Sequence, residues 1–180
     1  MVSSDTIISI NPDKLVITPV ASVREGMNVV THNREIKNVE RVLKSDYNQE
    51  LYFIRVWGYT KSILVTAETQ FLVYPNIRLV QGQVSRSPSP ERTFDIAWKR
   101  TVLLDKNDYL QVPTPYYRKS LLHTVDFLPE SFGRGGYLPH DTGLFCRVKS
   151  INKVPYNGLI YSFVVSQDNS FIANGFTVRT

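Results

Sequence analysis

Cysteine is nearly absent from this 180-residue chain: Cys146 stands alone. One thiol excludes an internal disulfide and a thiolate metal cluster. Histidine is scarce too. His32, His123 and His140 are the whole set, and their spacing is not that of metal ligands. No apolar run approaches membrane-spanning length. The start, MVSSDTIISI, lacks the basic flank and long apolar segment of a secretory signal. No stretch shows a sustained 3.6-residue apolar period, so helices are not expected to build the core. These absences predict a cytoplasmic chain in a reducing compartment, with no metal, no cofactor and no membrane partner.

What is present is ordinary for a globular chain: 42% hydrophobic and 21% charged residues, enough length for one sizeable core. The formal net charge is +5. The densest basic patch, Arg86 to Arg100, is broken by Pro, Ser and acidic residues. No basic stripe interleaves with aromatics, so the charge reads as a solvated surface and no nucleic-acid partner is expected. A monomer is expected.

Short β-branched and aromatic runs recur between turn residues, which predicts an all-β domain. Strands are expected over Thr6–Ile10, Leu15–Val20, Met27–Thr31, Ile36–Leu43, Leu51–Trp57, Ser62–Thr66, Gln70–Tyr74, Tyr109–Val112, Leu159–Val165, Ser170–Ala173 and Phe176–Val178. Asn11-Pro12-Asp13, Tyr156-Asn157-Gly158 and Gln167-Asp168-Asn169 read as turns, and Asn174-Gly175 as a hairpin turn. Residues 75–93 read as a flexible loop, 94–104 as a short helix, and 113–145 as irregular. The last strand runs almost to Thr180, so that end is expected to be tied into a sheet.

The chain also repeats itself. Val39–Val56 aligns without a gap to Val148–Val165, a shift of 109 (148 minus 39). Tyr47-Asn48 then matches Tyr156-Asn157, Tyr52 matches Tyr161, and Val42, Leu51 and Ile54 match Ile151, Ile160 and Phe163. Glu25–Val30 resembles Lys106–Gln111 at a shift of 81 (106 minus 25). The difference of 28 (109 minus 81) places an insertion between Val112 and Cys146. A duplication accounts for this pattern. One domain, 1–180, is expected, with halves of about 1–74 and 94–180 and the insertion within 113–146.

Several segments resemble conserved blocks of one family. Val2–Thr6 is similar to the opening strand of an intein. Arg24–Val29 resembles its Gly-Asp-x-Val turn, Ile63–Thr69 its Thr-x-x-His loop, and Trp98–Pro113 its Trp…Asp-Tyr-Leu segment. Leu159–Thr180 is similar to the closing block, with Tyr161, Val165 and Ser170–Gly175 in place. The resemblance implies the Hint fold of inteins and hedgehog autoprocessing domains: a flattened all-β horseshoe of two pseudo-symmetric subdomains. With no room for an endonuclease, the chain resembles a mini-intein.

That family removes itself from a host protein. A nucleophile at residue one attacks the preceding carbonyl, the Thr-x-x-His loop polarises that bond, and a His-Asn pair cuts at the other end. The resemblance implies partners in cis, the flanking host segments (exteins). It also locates the site at Met1, Thr66, Thr69, Asn169, Arg179 and Thr180. Most of these depart from the pattern. The Met1 thioether has no ionisable proton. Thr69 replaces the loop histidine, Asn169 a histidine before Ser170, and Arg179-Thr180 the terminal His-Asn. Arginine stays protonated and cannot shuttle a proton, and threonine cannot cyclise to a succinimide. A blocking change at the two ends would account for Met1 and Thr180 only; loss of splicing with retention of the scaffold accounts for all five. The expectation is therefore an inactive or impaired element, or a structural or binding module on the same fold. Ser3 and Ser4 lie out of register as alternative nucleophiles. Cys146 lies sixteen residues upstream of Ser162 (162 minus 146), the position where atypical members carry an internal one, and reads as a small core residue.

Overall fold

The structure is a computed structural model that describes residues 1–11, 16–74, 96–112, 137–140 and 143–180. The expected loop at 75–93, most of the insertion, His123 and part of the Asn11-Pro12-Asp13 turn lie outside these residues.

Thirteen strands are described: β1 (Val2–Ser3), β2 (Ile7–Asn11), β3 (Val16–Pro19), β4 (Asn28–Val30), β5 (Ile36–Val56), β6 (Ser62–Val65), β7 (Gln70–Tyr74), β8 (Ala97–Arg100), β9 (Tyr109–Val112), β10 (Tyr137–His140), β11 (Gly143–Val165), β12 (Ser170–Ala173) and β13 (Phe176–Arg179). Two single-turn 3-10 helices, Val20–Ser22 and Thr101–Leu103, complete the described elements. The all-β class is as expected. Eleven of them join in the order β3-β2-β12-β13-β7-β9-β11-β1-β6-β5-β4, with β11 also paired to β5, β8 paired to β7 and β10 to β11.

Four local expectations are corrected. The Tyr156-Asn157-Gly158 turn does not form: these residues lie inside β11, a strand of 23 residues. Likewise the runs expected at Ile36–Leu43 and Leu51–Trp57 are one strand of 21 residues, ending at Val56. The helix expected over 94–104 is instead β8 followed by a 3-10 turn. Strand β10 lies where irregular chain was expected.

The long strands β5 and β11 pair with each other antiparallel, from Val39 opposite Val165 to Val56 opposite Val148. Each supplies the other's backbone partners, which lets polar residues stay extended in mid-strand. Asn48 lies directly opposite Asn157. These are positions that the alignment of Val39–Val56 with Val148–Val165 matches to each other, so exchanging the two segments leaves the register unchanged. Further elements recur at one offset: β3, the first 3-10 turn and the start of β4 lie 81 residues before β8, the second 3-10 turn and β9 (97 minus 16, 101 minus 20, 109 minus 28).

The core lies where the closing strands meet the first ones. Phe71, Phe163, Phe171 and Phe176 are fully buried with Val2, Ile8, Ile54 and Val178. Their rings pack edge to face, Phe163 on Phe171 at 4.9 Å and Phe71 on Phe176 at 6.3 Å between centroids, each such pair adding about 1 kcal/mol beyond its buried area. The Asn174-Gly175 hairpin turn forms as expected, with Gly175 at φ +79°. The Asn174 side chain accepts from the Ile7 amide (2.8 Å) and donates to the Ser62 carbonyl (3.0 Å). One turn thereby locks the last hairpin onto both β2 and β6.

Candidate functional site

Strand β1 is two residues long but paired on both sides. Val2 lies opposite Val65 of β6 and Tyr161 of β11. Its burial at the centre of three strands fixes the position of Met1. After β6 the chain turns through Thr66 and Thr69, closed by the Thr69 amide donating to the Thr66 carbonyl (3.2 Å). The Thr66 amide donates to the Met1 carbonyl (3.0 Å).

The two threonine hydroxyls then surround the first residue. The Met1 nitrogen donates to Thr66 Oγ1 (3.0 Å) and to Thr69 Oγ1 (2.6 Å). Thr69 Oγ1 donates to the Met1 carbonyl at 2.9 Å and lies 3.1 Å from Thr66 Oγ1. Each hydroxyl has one proton. With the Thr69 proton committed to the carbonyl, Thr66 is the donor to Thr69, and the nitrogen has two acceptors. A neutral amine, with two N–H bonds, satisfies this arrangement completely. Enclosure accordingly lowers the Met1 amine from 8.0 to about 5 by desolvating its charged form. The contacts can position a nitrogen and polarise a carbonyl. Apart from the Met1 amine itself they include no acid or base.

The other end arrives at the same place. Met1 precedes Val2 and Ser162 follows Tyr161, so the antiparallel register brings Met1 across from Ser162. Ser162 is buried, and its Oγ lies 2.6 Å from Thr180 Oγ1. The six residues singled out from the sequence thus separate. Met1, Thr66 and Thr69 form one cluster, and Thr180 bonds Ser162, which the strand register places across from Met1.

Arg179 and Asn169 go elsewhere. Successive strand residues face opposite sides, so Arg179 points away from Thr180. Its guanidinium lies 5.8 Å from the Trp98 ring centroid. Asn169 is exposed at φ 54° in the turn before β12. Its neighbours are the engaged groups. Asp168 Oδ1 lies 2.9 Å from His32 Nδ1, and Ser170 Oγ donates to Asp168 (3.0 Å) while accepting from the His32 amide (3.1 Å). Sequence reading passed over His32 because its partners lie 136 residues on (168 minus 32), with no local spacing to reveal them.

The remaining nucleophile candidates are not at the site. Ser3 Oγ bonds Asp5, and Ser4 bonds the Tyr156 hydroxyl (3.1 Å). Cys146 is buried, and desolvation pushes its thiol up to about 12, so it holds its proton at neutral pH. Among the described residues no group of His, Cys, Asp and Glu could hold a metal, and no helix is long and apolar enough to cross a membrane.

Comparison with solved structures shows that this chain has the Hint fold of inteins. A G-1F mutant of the Ssp DnaB mini-intein variant M86 matches with a TM-score of 0.66 at 18% identity, over 99% of this chain and 97% of that one. A DnaB intein from Synechocystis sp. PCC 6803 matches at 0.63 and 16% identity, over 99% and 96%. A bacterial intein-like domain from Clostridium thermocellum matches at 0.59 and 13%, over 99% and 97%. No family profile matches the sequence, and no curated protein does.

Proposed function

We propose that this chain is an intein-like element whose scaffold still gathers the two splice junctions but whose reactive groups are substituted, so that it does not splice efficiently. The observation that carries the reading is the pair of contacts at the two ends: Met1 held by Thr66 and Thr69, and Thr180 held by Ser162. An element that joins its flanks must bring these ends together, and this one does. The structural offsets of 81 residues, and the opposition of Asn48 and Asn157, support an origin by duplication.

Chemistry is where the site falls short. A splicing nucleophile needs a removable proton and an adjacent base. Met1 has neither, and the loop offers Thr69 where the family has histidine. Acyl transfer also needs donors aimed at the developing oxyanion. The threonine hydroxyls and the Thr66 amide supply donors, but at the Met1 carbonyl. When catalytic groups act as a unit, removing several leaves little activity. The partners in this reading are the flanking host segments, joined in cis. In the second reading the domain is a non-catalytic Hint module of its host; the lack of any acid or base on Met1 favours it over a merely slowed enzyme.

The test is to express the chain between two reporter segments and weigh the products. One uncut species is expected. Ligated flanks with the chain excised would overturn the inactive reading. Cleavage at the Met1 bond alone would show that the hydroxyl cluster retains one half of the reaction.

A further inference from the structure

A second cleft lies apart from the Met1 cluster, between the His32 turn, Trp98 and Arg179. It encloses about 370 Å³ and its lining is mainly polar. Its charged groups are mostly matched in pairs. Lys37 Nζ lies 3.0 Å from Glu35 Oε2 and donates to Gln167 Oε1 at 3.0 Å. Asp168 is engaged by His32 and Ser170. Arg179 is the exception. Its guanidinium rests over Trp98 at 5.8 Å, and no carboxylate lies within ion-pairing distance among the described residues. Trp98 is itself braced edge-on by the His32 ring at 5.6 Å. The aromatic face holds the cation in place without neutralising it, and leaves its planar fork of donors for a ligand.

We propose that this cleft binds a monoanionic carboxylate, gripped by the Arg179 guanidinium against Trp98 and bounded by the Gln167 amide. An arginine with no carboxylate partner calls for an anion. The carboxylates of Glu35 and Asp168 on the same wall oppose a dianion, so phosphate is disfavoured. A guanidinium meets a carboxylate in a two-point fork, which also fixes the ligand's orientation. Two sources share this chemistry: a free small carboxylic acid, and an aspartate or glutamate side chain on a peptide. The inference stands independently of the splicing reading, which survives if the cleft proves empty of function.

The experiment uses the full chain carrying Trp57→Phe, an exposed position, so that Trp98 alone reports. Acetate, an acetylated and amidated glutamate residue, the matching glutamine residue and inorganic phosphate are titrated at fixed ionic strength, read by Trp98 emission and the indole N–H resonance. Saturable change is expected with the two carboxylates, with Kd on the order of 1 mM, and none with the glutamine residue. Arg179→Gln should weaken binding at least ~10-fold, and Arg179→Lys, which keeps the charge and loses the fork, should fall between. Tighter binding of the glutamate residue than of acetate supports the peptide source, and equal binding the free acid. No saturation, equal binding by Arg179→Gln, or tighter binding of phosphate each overturns the proposal. If Arg179→Gln melts out, Arg179→Lys and the glutamate–glutamine comparison in the Trp57→Phe chain decide it alone.

Discussion

In a chain expressed to begin at Met1, the enclosed amine makes stability depend on pH in a definite way. In the folded chain its pKa is lowered from 8.0 to about 5 because burial disfavours the charged form. The unfolded chain therefore binds a proton, between these values, that the folded chain refuses. Stability is fully present above pH 8 and is lost as pH falls toward 5. Three pH units at 1.36 kcal/mol each set an upper bound of about 4 kcal/mol. Between pH 8 and pH 6 alone the loss is about 2 kcal/mol. Urea unfolding across this range, on protein whose Met1 is verified by mass, measures it. The control carries one glycine before Met1, which turns the amine into a peptide nitrogen at the same place. It abolishes the Met1 titration and introduces the added glycine's own α-amine, so the difference between the two curves reports the Met1 amine against that one. A difference that does not vary with pH would refute the reasoning, and so would a loss of stability as pH rises from 6 to 8.

Other consequences can be read independently. Thr69→Val removes the hydroxyl that bridges the Met1 nitrogen and carbonyl; unfolding should show a loss of about 1–3 kcal/mol. Restoring Met1→Cys and Thr69→His together in the flanked protein should yield a thioester that an added thiol releases; no released fragment, in a folded variant, would show that more than these two groups is missing. Gly175→Ala places a methyl 1.9 Å from the Tyr59 hydroxyl at φ +79°, so it should cost at least about 1 kcal/mol. Tyr59→Leu in the same chain should recover only part of that, since the positive φ remains. Cys146 should resist an alkylating reagent at pH 8 in the folded chain and react rapidly in denaturant, as its raised pKa and burial require.

The β class was legible because period-two runs and turn residues are local properties. Asn174-Gly175 turned as read, since a positive φ at Gly175 suits a residue without Cβ. Tyr156-Asn157-Gly158 misled for a physical reason. Inside a two-stranded ribbon, Asn157 and Gly158 find backbone partners in Asn48 and Tyr47. The bare Cα of Gly158 is used for space instead: a Cβ there would sit 3.1 Å from the Tyr156 hydroxyl, which donates to the Leu159 carbonyl at 2.8 Å. Turn propensity gave way to cross-strand pairing, a non-local term that a single window of sequence does not contain.

The candidate site divides along the same line. Position in the closing block marked Arg179 and Thr180 as neighbours, and strand alternation sent them to opposite faces. Asn169 stood in the marked place, while Asp168 and Ser170 beside it took the contacts. By itself the sequence determined the strand-rich class and the match of Val39–Val56 to Val148–Val165. These are matters of local propensity and residue chemistry. Only the tertiary structure decided that Met1 rests on Thr66 and Thr69, that Ser162 holds Thr180, and that Arg179 shares a cleft with His32. Those contacts join residues 65, 68, 18 and more than a hundred positions apart, and the pairing of β1, β6 and β11 is what closes the distance.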